Sequence, residues 1–251
     1  MQKVHRRPWW WAGAGVLALV GAHLIAPLSA LGAAAGVAYL VVSTALLSRG
    51  LRRHGAARFG PANAVTATRS MLAGVVTAMV VSSFQVEAST PLLVTIAACA
   101  LALDAVDGAV ARRTGTTSEL GARFDMEVDA FLILVLSVYD ARFVGWWVVS
   151  LGLLRYAFVA AAWLLPWMRR PLPPRYWRKV AAAATGIALA AVAAQPPTPV
   201  AVALALVALG LLVESFGRDV VWLVRMNRSA PDLVSPPKAA RRAGPEESRQ
   251  P

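Results

Sequence analysis

The chain carries a single cysteine, Cys99, among 251 residues. An internal disulfide is therefore excluded, and the apolar run around Cys99 predicts that it packs as a small hydrophobe. Charge is scarce as well: Asp, Glu, Lys and Arg make up 15% of the residues against 58% hydrophobic. A soluble globular domain carries roughly 25% charged and 45–50% apolar residues, so composition excludes that class. The apolar residues fall in long blocks rather than at amphipathic spacing, which predicts spanning helices. Acidic residues are the scarcest charges, 13 against 25 basic, for a net charge of +12. No nucleic-acid-binding module accompanies the basic excess. It reads instead as a positive-inside bias with attraction to anionic headgroups, and nucleic acid is not expected as a partner. A cleavable signal peptide is also missing from this reading. Lys3, Arg6 and Arg7 flank the first apolar stretch, but it runs into another hydrophobic block without a convincing cleavage site.

What is present is a series of about eight apolar stretches, each near the ~20 residues that a hydrocarbon core requires. They cover approximately 9–26, 29–48, 63–85, 91–111, 121–140, 143–166, 178–195 and 199–223. Backbone polar groups in lipid must be satisfied within the segment, so all are expected to be helices. The small-residue run "AAAATGIALAAVAA" (181–194) suits close helix–helix approach. Trp9–Trp11 and Trp146–Trp147 read as interfacial anchors. Arg and Lys gather in alternate connections, 1–7, 49–58, 112–123, 167–179 and 225–249, and nearly vanish from the others. That alternation predicts both termini in the cytosol, with the acid-rich stretch 104–129 on the same side. "SRGLRRHGAARFG" (48–60) reads as a short basic amphipathic piece at the interface. The expected organisation is a transmembrane hairpin over 1–48, a helical body over 49–225 and a disordered cytosolic tail over 226–251.

Against this background the stretch "LDAVDGAVARRTGTTSELGARFDMEVDA" (103–130) stands out. Asp104 and Asp107 lie three apart at the end of one apolar stretch, and Asp125 and Asp129 four apart near the start of the next. Both spacings put the side chains on one helical face, and a short turn between antiparallel helices lets the two faces meet. Four converging carboxylates repel unless neutralised, and hard oxygen ligands suit Mg²⁺, Mn²⁺ or Ca²⁺. Gly108 leaves one side of its helix bare, Ala111 extends that surface, and Gly121 can do the same on the partner helix. Each Asp taken singly is equally a helix cap or a solvated charge. An EF-hand is excluded, because "DAVDGAVARRTG" has apolar residues at the third and fifth places and Gly at the twelfth. A cation permease would distribute its acids through the depth of the membrane, whereas these gather at one face.

The whole pattern is Asp104-x-x-Asp107-Gly108-x-x-Ala111-Arg112, eight residues, then Gly121-x-x-x-Asp125-x-x-x-Asp129. It resembles the signature of the CDP-alcohol phosphotransferase family of integral membrane enzymes, over roughly residues 50–225. The resemblance implies an all-α membrane fold: a six-helix bundle, here preceded by an extra N-terminal transmembrane hairpin. It implies transfer of a phosphoalcohol, usually phosphatidyl from CDP-diacylglycerol, to a hydroxyl acceptor with release of CMP, in phospholipid biosynthesis at the cell membrane. It also implies a two-metal site, with Mg²⁺ or Mn²⁺ held by Asp104, Asp107 and Asp125, and with Asp129 as general base that also touches metal. Gly108, Ala111, Arg112 and Gly121 would face the cytidine and phosphates, and a homodimer is expected. An inactive scaffold of the same family is the other reading, disfavoured because all eight motif residues are present. The chemistry is sound on its own terms. Paired cations clamp a pyrophosphate, a carboxylate takes a proton from a hydroxyl, and a guanidinium matches phosphate geometry.

A second element, Asn63-x-x-Thr66-x-x-Arg69, resembles one that precedes the acidic signature in that family. The usual proline directly before the Asn is displaced by one residue, to Pro61, which leaves the helix start open. Thr66 and Asn63 are the expected nucleotide contacts; the alternative for Asn63 is a helix cap. Arg155 lies deep in an apolar stretch and requires an anionic partner. With Arg175 or Arg178 it is the candidate for binding a phosphate on the acceptor, the competing reading of the loop arginines being the positive-inside bias. Glu127 is expected to serve packing or a helix start, and Glu214 has no assigned role.

Overall fold

The structure, a computed structural model, describes residues 7–53, 61–114, 119–173 and 175–229. Among these the architecture is all-α, with eight helices and no strand. They are α1 (Arg7–Ile25), α2 (Ala30–Arg53), α3 (Pro61–Ser82), α4 (Thr90–Thr114), α5 (Glu119–Val144), α6 (Val149–Leu164), α7 (Tyr176–Ala193) and α8 (Thr198–Ser229). Short 3₁₀ turns over Trp146–Val148 and Pro166–Arg169 bracket α6. Four segments are long and apolar enough to cross a membrane on their own: Ala30–Arg52, Ala64–Ser82, Trp146–Leu164 and Thr198–Arg228. Trp9–Ile25 and Thr90–Asp104 are shorter apolar helices. In α5 the first half carries Glu119, Arg123, Asp125, Glu127 and Asp129, which interrupts its apolar character. The chain is an integral membrane protein, and its outer faces match: Leu17, Leu24, Trp163 and Leu164 are all exposed apolar side chains. Trp9, Trp10 and Trp146 are exposed at helix starts.

α3 is the centre of the bundle and packs against α1, α2, α4 and α5. Ala73, Val75, Val76, Ala78, Met79 and Val80 are all buried, so this helix has no single solvent or lipid face. Its tightest contact is with α2. A Cβ on Gly36 would lie 2.9 Å from Ala78 Cβ and 3.0 Å from Gly74 O, and one on Gly32 would collide with Ser82 and the Ala78 carbonyl. Small residues one turn apart let the two backbones approach where lipid offers no hydrophobic drive. The Ser29 amide seals the end of this seam by donating to Ser82 Oγ at 2.9 Å. At the same end of the bundle Gln195 Nε2 donates to Thr90 Oγ1 at 3.1 Å and to Tyr139 OH at 3.4 Å, tying the α7–α8 turn to α4 and α5. Gly145, at φ 107°, makes the turn out of α5, a backbone region that other residues avoid.

Several boundaries differ from expectation. α2 continues to Arg53 and absorbs the first part of the stretch read as an interfacial piece; residues 54–60 lie outside the described ones. α3 starts at Pro61, a residue whose fixed φ and missing N–H suit a first helical position. α8 runs on to Ser229, so the expected tail boundary at 226 falls inside a helix, and 230–251 lie outside the described residues. Cys99 is exposed rather than packed. The buried stripe of α4 is Leu93, Ala97 and Ala100, and Cys99 falls on another face.

Candidate active site

Arg69 of α3 is 1% exposed, between the buried Thr66 and Ser70. A buried guanidinium requires anions and acceptors for its N–H groups. Its Nε donates to Ala100 O of α4 at 3.2 Å. Nη1 lies 3.0 Å from Asp104 Oδ1 of α4 and also bonds Asp125 of α5. Nη2 bonds Asp129, one turn further along α5. One planar fork therefore holds three carboxylates from two helices, which the compact ammonium of a lysine cannot do. Among the described residues α3 packs closely on both α4 and α5, and Arg69 fills the wedge between them.

Asp104, Asp125 and Asp129 are each half-buried, and one carboxylate oxygen from each lies within 4.8 Å of the others. Three carboxylates thus share the Arg69 guanidinium. Such a set of hard oxygens at a partly open helix end can take a divalent cation. The side chains of Asp107, Gly108, Ala111 and Arg112 lie outside the described residues, although their backbone belongs to α4. Asn63 stands two residues inside the start of α3, so it is not the residue that caps the helix; its side chain too lies outside the described residues. Thr66 is buried one turn before Arg69, and Gly121 is half-buried one turn before Asp125. Arg69 itself had been legible only as the last member of the Asn63 element. The available signal was cost: an intramembrane arginine needs acids, and four aspartates fall within residues 104–129.

The basic residues considered for the acceptor are engaged separately. Arg155 of α6 meets Glu127 of α5 with Nη2 and Oε1 2.6 Å apart. Glu127 is thus the anionic partner of Arg155 rather than a packing or helix-start residue. The two-residue offset from Asp125 turns it about 200° round α5, toward α6. The Arg155 Nε is buried, with no hydrogen-bond partner among the described residues. With Phe158, Val159, Ala162, Trp163 and Arg169, Arg155 lines an open groove of about 730 Å³. Arg175 and Arg178 turn instead to Asp219 of α8, at 3.9 and 3.3 Å. Glu214 of the same helix accepts from Trp177 Nε1 at 2.6 Å and pairs with Arg218. The Arg170 guanidinium donates to Met226 O at 2.8 Å. The basic connection between α6 and α7 is therefore pinned to α8, and the structure does not gather Arg155, Arg175 and Arg178 around one acidic partner.

A comparison with protein families matches the CDP-alcohol phosphatidyltransferase family over residues 59–214. Comparison with curated proteins and with solved structures gave no match. The matched stretch runs from the start of α3 into α8 and contains Arg69 and every member of the acidic motif. Because the match covers more than half of its length, the chain belongs to the CDP-alcohol phosphatidyltransferase family.

Proposed function

We propose that the protein is a divalent-metal-dependent phosphatidyltransferase of phospholipid biosynthesis, moving phosphatidyl from CDP-diacylglycerol to a hydroxyl acceptor and releasing CMP. Family membership makes it a transferase that takes a phosphoalcohol from a CDP-alcohol. The observation that carries the finer reading is the convergence of Asp104, Asp125 and Asp129 around Arg69. Their all-oxygen donor set, with one oxygen of each within 4.8 Å of the others, fits a divalent cation, Mg²⁺ or Mn²⁺. Asp104, Asp125 and Asp129 would hold it, with Asp107 as a further ligand if two ions bind. When bound, such ions supply charge neutralisation for the pyrophosphate of the donor.

The remaining steps belong to the chain. Arg69 keeps the carboxylates from splaying while the site is being filled. Asn63, Thr66, Gly108, Ala111, Arg112 and Gly121 face the cytidine and phosphates in this reading. Asp129 accepts the proton of the acceptor hydroxyl. The acceptor oxygen bonds to the phosphorus that bears the diacylglycerol, and the bond from that phosphorus to the departing CMP breaks. Arg155 serves a phosphate on the acceptor, supported by its Nε, which has no hydrogen-bond partner among the described residues, and by its place on the groove. Arg175 and Arg178 join it only by leaving Asp219. The proposed organisation is an N-terminal hairpin, α1–α2, before a six-helix body, α3–α8. All eight helices cross the cell membrane of a homodimer, with the acidic end and both termini in the cytosol.

The test is CMP release by purified protein given CDP-diacylglycerol, Mg²⁺ or Mn²⁺, and hydroxyl acceptors one at a time. Glycerol phosphate, inositol phosphate and phosphatidylglycerol form the first panel. One acceptor should support release that EDTA abolishes and that Asp129→Asn lowers at least 100-fold, in keeping with loss of a general base. Failure of every acceptor, or full activity in Asp129→Asn, would overturn the assignment.

A further inference from the structure

The hairpin α1–α2 precedes the family match, which begins at residue 59, yet α2 packs on α3 and touches α5, the helices that carry Arg69 and Asp129. Tyr39 of α2 stacks on Phe131 of α5, with ring centroids 4.4 Å apart and an interplanar angle of 16°. Its hydroxyl accepts from Ser70 Oγ of α3 at 3.4 Å. Phe131 stands two residues after Asp129, and Ser70 directly follows Arg69. Tyr39 therefore touches both helices that form the Arg69–Asp129 ion pair, next to Arg69 on α3 and, on α5, on the side turned about 200° from Asp129. The ring has little slack. A Cβ on Gly74 of α3 would lie 2.9 Å from Leu40 and 3.3 Å from Tyr39, so α2 is seated against the α3 backbone at this level.

We infer that Tyr39 is a positioning residue for the acidic centre: it sets the separation of α3 and α5, and with it the spread of Asp125 and Asp129 about the bound cation. The N-terminal hairpin is then part of the metal site rather than an appendage. The hydroxyl contact is long and secondary, and the stacked ring carries the effect. The inference rests on the metal-dependent reading above, and its readout is metal binding, which does not require turnover.

The experiment measures Mn²⁺ affinity of the purified full chain by titration, together with its melting temperature. Tyr39→Leu should weaken Mn²⁺ binding by about 10-fold, the scale of a lost aromatic pair. Tyr39→Phe keeps the ring and should stay within about threefold. Phe131→Leu should match Tyr39→Leu, and the double variant should be no weaker than either, since both remove one contact. Phe143→Leu is the control. Phe143 packs edge-on against Tyr139, one turn before it near the other end of α5; its loss should lower the melting temperature while leaving Mn²⁺ affinity at the wild-type value. If Tyr39→Leu does not fold, Gly74→Ala, which pushes Tyr39 and Leu40 outward, must weaken binding in its place. Wild-type affinity in the folded Tyr39 or Gly74 variants, or equal weakening in Phe143→Leu, overturns the positioning role. Absence of Mn²⁺ binding and of CMP release in the wild type would instead overturn the metal-dependent reading.

Discussion

Removing the charge of Arg69 gives the sharpest test of how this site is held. In Arg69→Met the apolar stem remains, while the fork on Asp104, Asp125 and Asp129 is lost. Two unit charges 4.8 Å apart, the outer limit for these carboxylate oxygens, repel by about 3 kcal/mol at an effective dielectric near 20. Three such pairs would cost about 10 kcal/mol. The carboxylates are 27–40% exposed, so water and rotamer changes relieve most of that. A net loss of about 3 kcal/mol remains, in line with stripping one partner from a buried ion pair. For a chain of this length it corresponds to a melting temperature about 6 °C lower. The assay is thermal unfolding of the detergent-solubilised protein in EDTA and again in saturating Mn²⁺. The variant should melt about 6 °C below wild type in EDTA and recover most of the difference with Mn²⁺, because the cation restores the missing positive charge. Arg69→Lys should fall between the two, since an ammonium reaches fewer of the three acids. Equal melting of Arg69→Met and wild type in EDTA, or an Mn²⁺ shift no larger in the variant, would refute the reasoning.

Two other substitutions separate roles elsewhere in the bundle. Arg155→Gln removes the charge that faces Glu127 and the groove; steady-state kinetics should show the acceptor KM raised about 10-fold with the CDP-diacylglycerol KM unchanged, the loss of one charge-assisted contact. A parallel rise in both constants would make Arg155 a general support of α5 and α6. Asp140 is fully buried and neither of its carboxyl oxygens has a hydrogen-bond partner among the described residues. Asp140→Asn should therefore melt within about 1 °C of wild type and keep full activity, since an amide of the same shape replaces a buried carboxyl group that makes no hydrogen bond among the described residues. A fall of several degrees would show a partner for that carboxylate.

How far the site could be read in advance follows from where charge is costly in a membrane. That Asp104, Asp125 and Asp129 come together was legible, because carboxylates at fixed helical spacing beside apolar runs share one face and need positive charge nearby. Arg69 was half legible. Its need for acids follows from its place in α3, but which acids it takes depends on α3 wedging between α4 and α5. Glu127 and Arg155 lie 28 residues apart, and only the facing of α5 against α6 pairs them. The arginines of the α6–α7 connection looked available for a substrate phosphate, because the sequence shows their charge but hides Asp219 and Glu214, which engage Arg175, Arg178 and Trp177.

The N-terminal hairpin was the least legible part, for a related reason. Its contribution to the site rests on Tyr39, Leu40, Gly36 and their seat against Gly74, none of which carries a charge that would mark it. Chemistry declares itself through ionisable groups that lipid makes expensive, while positioning is done by rings and bare glycines that are ordinary in any apolar helix. A boundary drawn after residue 48 therefore divides the motif from the helix that holds it in place. α2 and α3 share a close-packed seam from Ser29–Ser82 at one end to Tyr39–Ser70 at the other. The spacing of Arg69 and Asp129 is set along that seam as much as by the helices that carry them.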